Sequence, residues 1–189
     1  MQNFTIENID LDGPMLIQVF CAEDERGYLL KDYSKSVFEK NGIDYELKEV
    51  FYTSSKRNVI RAIHFQRIIQ QPKLIRVVKG KVFDVIVDLR AGSPTMGQWR
   101  GFYLSEDSKM ELLIPGGFGH GYLVLEDSIV SYKCSEPFVG EYDDGIMWND
   151  EDIAVEWPLD QITGELIMAE KDRNLQSFYE FKKNYGGLK

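Results

Sequence analysis

The sequence predicts an all-β fold, and three observations predict it. Turn signals recur at short intervals from Asp12-Gly13 to Gly145, the segments between them are short runs rich in Val, Ile, Phe and Tyr, and only two stretches read as helical. Strands in the middle with short helices at the edges describe a β-sandwich or a barrel, and periodicity alone leaves both open. The chain of 189 residues has a length that suits one domain, 1–189, around one sizeable core. No linker, repeat or low-complexity segment divides it.

In chain order, residues 34–40 read as the first helix, ended by Asn41-Gly42. Residues 74–78, then Lys79-Gly80-Lys81, then residues 82–89 predict a hairpin in which Gly80 supplies the turn conformation. Residues 112–114 and 122–124 are further strands, and 129–132 continue the pattern. Residues 175–185 read as the second helix.

A hydrophobic content of 43% beside 28% charged residues is that of an ordinary folded protein. The net charge of −9 argues against nucleic acid or an anionic membrane as partner, since both attract basic surfaces. A small anionic ligand held by a few local Arg and Lys side chains is compatible with it. Cys21 and Cys134 are too few to staple a scaffold and predict buried free thiols in a reducing compartment. The stretch MQNFTIENIDLDGP has neither a basic start nor a long apolar run, so no signal peptide is expected. Nothing further along reaches the roughly 20 apolar residues of a membrane span. The expectation is a cytoplasmic protein.

Three motifs narrow the reading. The first is Arg61-Ala62-Ile63-His64-Phe65-Gln66 with Gln71-Pro72-Lys73-Leu74. The second runs from Phe83-Asp84-Val85 to Asp88-Leu89-Arg90, followed by Ser93-Pro94-Thr95 and Gly97-Gln98-Trp99. The third is Ile114-Pro115-Gly116-Gly117-Phe118-Gly119-His120-Gly121-Tyr122. With Asp24-Glu25-Arg26-Gly27, Tyr132-Lys133, Trp148-Asn149-Asp150, Glu156-Trp157-Pro158 and Glu170-Lys171-Asp172, their order and spacing resemble the dTDP-4-dehydrorhamnose 3,5-epimerases over nearly the whole chain. The resemblance implies a cupin-type double-stranded β-helix, a jelly-roll barrel with short peripheral helices. It also implies a homodimer whose amino-terminal strands cross to the partner.

The reaction so implied inverts C3 and C5 of a 4-keto-6-deoxyhexose carried on a nucleoside diphosphate, a step in deoxysugar biosynthesis. Both carbons are α to the ketone, so each proton leaves as an enolate forms at O4. A base on one face, an acid on the other and a cation at the oxyanion are required. His64 suits the base, because an imidazole titrates near neutral pH. The resemblance carries over Asp172 as its orienting partner, Tyr132 as the acid and Lys73 as the enolate stabiliser. Arg26 and Arg61 are candidate diphosphate clamps, since guanidinium binds phosphate oxygens bidentately; the resemblance implies that Arg26 acts across the dimer. His120 is placed near the substrate, and Gln66, Lys171 and Asp143 are further candidate ligand contacts. No cofactor is expected. No metal is expected either: metal-binding cupins place a second histidine two residues after the first, and Gln66 stands there.

The chain departs from the family pattern at recognition positions. Glu49-Val50-Phe51 replaces a Gln-Asp-Asn stretch whose amides contact ligand. Lys31 stands close to the place of a carboxylate near the nucleobase. Phe138, after Pro137, keeps the stacking face of a tyrosine without its hydroxyl. An intact catalytic set with an altered recognition set predicts the same chemistry on a different sugar nucleotide, or inversion at one carbon rather than two. A sugar-nucleotide binding protein without turnover is the rival from another class, and binding alone does not require an acid–base pair.

Overall fold

The computed structural model describes residues 4–189. Its strands in chain order are β1 (Thr5–Asn8), β2 (Met15–Gln18), β3 (Phe20–Asp24), β4 (Gly27–Lys31), β5 (Glu49–Ser55), β6 (Ile60–Gln66), β7 (Lys73–Asp88), β8 (Trp99–Ser105), β9 (Met110–Ile114), β10 (Phe118–Cys134) and β11 (Asp143–Gly145). Two helices accompany them, α1 (Lys35–Lys40) and α2 (Phe178–Tyr185).

One long antiparallel ladder organises the molecule. β7 and β10 pair from Lys73 opposite Cys134 to Asp88 opposite Phe118. The first half of β7 recruits β9, then β2 and β1, while the matching end of β10 recruits β5. The second half of β7 recruits β8, and the matching end of β10 recruits β6 and β11. The two halves close around one core: Ile75, Val77 and Val130 from one meet Val82, Ile86 and Tyr122 from the other. This is the all-β jelly roll that the motifs imply. Each outer face is then covered by a different part of the chain. α1 and the segment after it bury Phe38, Ile43 and Tyr45 on one side, and α2 buries Phe178 and Phe181 on the other. Each buried aromatic ring contributes about 1.5–3 kcal/mol by leaving water.

The hairpin expected at Lys79-Gly80-Lys81 does not form; β7 runs straight through it. Side chains alternate along a strand, yet Ile75 and Val77 before residue 80 share the inner face with Val82 and Ile86 after it. Odd positions give way to even ones, so one extra residue is inserted there. Gly80 lies in this irregular stretch, between Lys79 opposite Ile129 and Lys81 opposite Glu126, at φ +79°, and a Cβ at this position would lie 2.3 Å from the Asp127 carbonyl oxygen. A positive-φ glycine serves a bulge as well as a turn. Here both flanks find the same partner strand, so the chain continues instead of reversing. Residues 122–124 and 129–132, expected as successive strands, are likewise two parts of β10.

The helices fall close to expectation. α1 begins after Ser34, and the Asn41 amide closes it by donating to the Val37 carbonyl at 2.8 Å. α2 starts three residues later than the apolar pattern suggests, because Ser177 and Glu180 form a reciprocal capping box. Cys134 is buried as expected. Cys21 is only half-buried, because β3 and β4 form a separate two-stranded hairpin outside the main sheet.

Candidate active site

β6 carries the first motif into a cavity between the two halves of the roll. On β10, His120 and Tyr122 stand two residues apart; their partners on β6, His64 and Arg61, stand three apart. That irregularity lets Arg61 and His64 both face the cavity. It demands a close approach of the strands: a Cβ on Gly121 would lie 2.5 Å from the Ala62 Cβ. The glycine of His120-Gly121-Tyr122 therefore belongs to the architecture of the site.

His64 Nε2 lies 3.2 Å from Oδ1 of Asp172, a buried residue in the 3₁₀ turn Glu170–Asn174. The contact is off-line for a hydrogen bond, and that oxygen has no other partner. A carboxylate in this place favours the tautomer with its proton on Nε2 and leaves the lone pair on Nδ1. Beside this pair stands a second one, in which His120 Nε2 is 2.9 Å from Oδ2 of Asp84. Burial pushes the Asp84 carboxyl up, with His120 opposing.

Tyr132 enters from the other half of the roll. Its ring stacks on Phe51 at 4.7 Å and 12°, and meets the edge of His120 at 5.8 Å. Burial raises its phenol well above the usual value, and the neighbouring Tyr122 and Asp84 add to the rise. It is therefore a neutral O–H donor at physiological pH. Lys73, at the start of β7, also lines the cavity; desolvation lowers its ammonium pKa, while Cys134, Asp143 and Asp84 oppose the shift.

Around these groups, Arg61 Nε donates to Ser55 Oγ at 3.1 Å. The Gln66 amide nitrogen donates to the carbonyls of Ile69 and Pro137, and its oxygen accepts from Val139 N at 2.6 Å. Lys171 and Asp143 form an ion pair of 2.8 Å, and Phe138 is 52% exposed at the margin of the cavity. Three of the residues singled out in the sequence do not line this cavity. Arg26 sits on the β3–β4 hairpin, paired with Asp24 at 2.6 Å. Lys31 closes the same hairpin. Glu49 is turned into the scaffold, where Oε2 accepts from Gln71 Nε2 at 3.2 Å and from Phe138 N at 3.0 Å. Within one chain, then, Lys31 stays outside the cavity, Glu49 acts on its lining only through Gln71 and Phe138, and Phe51 presents its ring to Tyr132 rather than an amide to a ligand.

Residues to which the sequence assigned no role are also here: Thr53, Gln71 and Ala169 line the cavity, and Asp84 backs His120. Asp84 left a signal, an acid on the inward parity of an apolar run. Thr53 and Ala169 left none, because their neighbours are set by strand pairing and by the carboxy-terminal segment. The described residues contain no group of three His, Cys, Asp or Glu side chains placed to hold a metal ion. They also include no helix long and apolar enough to cross a membrane.

The chain matches the dTDP-4-dehydrorhamnose 3,5-epimerase family over residues 8–180. It belongs to that family. The dTDP-4-dehydrorhamnose 3,5-epimerase of Methanothermobacter thermautotrophicus is 43% identical to it over 95% of this chain and 97% of the relative. Among solved structures, the dTDP-6-deoxy-D-glucose-3,5-epimerase of Legionella pneumophila, in complex with dTDP-4-keto-L-rhamnose, is 33% identical with a TM-score of 0.88, covering 93% of each chain. ChmJ, a 3'-monoepimerase of Streptomyces bikiniensis solved with dTDP-quinovose, is 26% identical with a TM-score of 0.86, over 96% of this chain and 91% of its own. As a member of the family the protein is an epimerase, an isomerase on the cupin-type jelly roll that these enzymes share.

Proposed function

We propose that this epimerase inverts C3 and C5 of a nucleoside-diphosphate 4-keto-6-deoxyhexose by two rounds of enolisation in the cavity of β6, β7 and β10. The observation that carries this reading is that a carboxylate-backed imidazole, His64, shares one cavity with a neutral buried phenol, Tyr132, and a lysine, Lys73. His64 Nδ1 takes the proton from C5 or C3, the electron pair of the C–H bond becomes the C=C bond of the enolate, and the carbonyl π pair moves to O4. Lys73 balances the enolate charge, and Tyr132 returns a proton to the opposite face. A positioned base or acid typically contributes about 10²–10⁴ in rate, and one oxyanion donor about 3–4 kcal/mol.

On this reading Arg61, which lines the cavity, takes one phosphate of the substrate, and Phe138 at its margin stacks on the nucleobase. Arg26 serves the cavity of a second copy in a homodimer. In support of the exchange, the hairpin that carries Arg26 lies outside the main sheet and exposes Tyr28 and Leu29, 54% and 59% accessible. Large apolar side chains exposed on such a projection call for cover. The test is incubation of the protein with dTDP-4-keto-6-deoxyglucose in D₂O, reading deuterium at C3 and C5 separately by NMR, with CDP- and GDP-linked forms in parallel. Deuterium and inversion at both carbons support the proposal. Incorporation at C3 alone assigns a monoepimerase, and incorporation at neither overturns the reading.

A further inference from the structure

Residues 135–142 connect β10 to β11 and carry Phe138 at the margin of the cavity. A surface connection of this kind usually leaves much of its backbone to water. Here side chains from other parts of the chain take it up residue by residue. Gln71 Nε2 donates to the Glu136 carbonyl at 3.0 Å. The Gln66 amide reaches the next residues: its nitrogen donates to the Pro137 carbonyl at 3.3 Å, and its oxygen accepts from Val139 N at 2.6 Å. Between these two, Glu49 Oε2 accepts from Phe138 N at 3.0 Å and from Gln71 Nε2 at 3.2 Å. An ion pair of 2.6 Å between Lys48 and Glu136 fastens the same edge.

Two features distinguish this arrangement from ordinary loop packing. Gln66 and Gln71 are buried, so polar groups are withdrawn from water in order to hold backbone atoms. The residue at the centre, Phe138, nevertheless leaves half of its surface open. A ring with so little packing around it takes its direction from its backbone, and Pro137 before it narrows the backbone further. Holding a loop in place before a ligand arrives removes the ordering cost from the binding step.

We infer that Glu49, with Gln66 and Gln71, forms a clasp that presets Phe138 as the platform for the nucleobase and so sets affinity for the nucleotide end of the substrate. The inference rests on the reading that Phe138 stacks on the base. Glu49 is a positioning residue: it stands outside the cavity and acts through the backbone of Phe138. It touches none of His64, Lys73 and Tyr132, so binding should change while chemistry does not. The glutamate at position 49 is then no lost ligand contact, because the clasp needs one acceptor oxygen there and both a carboxylate and an amide offer one.

The experiment compares Glu49→Ala, Glu49→Gln, Phe138→Ala and the double variant Glu49→Ala/Phe138→Ala with the native protein. Calorimetry reads the Kd of dTDP, CDP and GDP, and NMR in D₂O reads kcat and KM with the 4-keto-6-deoxyhexose of whichever nucleotide binds most tightly. Glu49→Ala is expected to raise both Kd and KM about tenfold, the size of one lost charge-assisted hydrogen bond. Its kcat should stay within about twofold, as for a change in binding alone. Glu49→Gln keeps an oxygen in the place of Oε2 and should bind within about twofold of the native protein. Phe138→Ala should weaken binding at least as much as Glu49→Ala, and in its background Glu49→Ala should add less than about twofold. A native Kd in Glu49→Ala overturns the clasp, and so does a full tenfold loss added in the double variant, since the carboxylate would then act elsewhere. A fall in kcat at native KM would mean a merely structural role and overturns it too. If Phe138→Ala binds nucleotide like the native protein, or if the native protein binds none of the three, the base platform itself fails and the clasp fails with it. If Glu49→Ala does not fold, Glu49→Asp, which withdraws the carboxylate by one methylene, carries the same expectations.

Discussion

His64 and His120 are register partners across the β6–β10 ladder, each with its own carboxylate: Asp172 at 3.2 Å from one and Asp84 at 2.9 Å from the other. The two pairs differ in access. His64 keeps 24% of its side chain exposed toward the cavity, whereas His120 and Asp84 are 4% and 0% exposed. An accessible, carboxylate-backed imidazole is suited to meet a substrate C–H bond. The enclosed pair is suited to hold the edge of Tyr132.

The first prediction follows from that difference. His64→Ala is expected to reduce exchange at both C3 and C5 by about 10²–10⁴, the range of a positioned base, with the fold retained. Deuterium incorporation by NMR, beside a circular dichroism spectrum, checks it. Exchange at either carbon near the native rate would remove His64 as the shared base.

Tyr132→Phe is expected to part exchange from inversion. Deuterium still enters from the His64 side, while inverted product falls by about 10²-fold or more. The ring and its stack on Phe51 survive the change, so the loss reports the hydroxyl. Chromatography of the epimers against total deuterium content is the measurement, and a native epimer yield would exclude Tyr132 from the mechanism.

Gly80→Ala tests the bulge. The added methyl would meet the Asp127 carbonyl oxygen at 2.3 Å in a backbone at φ +79°. Relief requires β7 or β10 to shift, and a loss of more than about 2 kcal/mol is expected. Urea denaturation checks it; a loss under about 0.5 kcal/mol, the level of an ordinary surface change, would mean that the strand crosses this point without needing a glycine.

A fourth prediction concerns pH. Glu111 is completely buried on β9, and burial pushes its carboxyl up to about 7 from 4.5, against the pull of Lys133 at 2.6 Å. Its Oε2 has no partner, which favours the protonated form. Between those two values the unfolded chain releases a proton that the folded chain keeps. The stabilising contribution is therefore complete below about pH 4.5 and is lost as pH rises through about 7. Its size is on the order of 3 kcal/mol. Comparing denaturation at pH 5 and pH 8 for the native chain and Glu111→Gln isolates it. The variant should show a flatter dependence, and an equal slope in both would place the ionisation elsewhere.

The sequence by itself determined the class of fold, the two helices to within a few residues, and the motifs that carry His64, Lys73, Tyr132 and Asp172. Those are local matters: alternation, turn residues and short spacings are written in neighbouring positions. Tertiary structure decided what lies far apart in the chain. Gly80 has the same positive φ in a hairpin turn as in a bulge, and only the presence of β10 along both flanks of β7 selects the bulge. Asp172 meets His64 from more than one hundred positions away because Ile167 bridges to Val59 just ahead of β6 and Leu166 and Met168 pack on the cluster of Ile60, Ala62 and Ile63. Glu49 was read as a ligand contact from its place in a motif, yet Gln71 and the backbone of Phe138 claim its carboxylate. Thr53 belongs to no motif and Tyr122 ends the third one, yet nothing in either place says that they meet; the fold brings their hydroxyls to 2.8 Å. A side chain's chemical type is set by its codon, but its partners are set by which strands close the barrel, and that closure is a property of the whole chain.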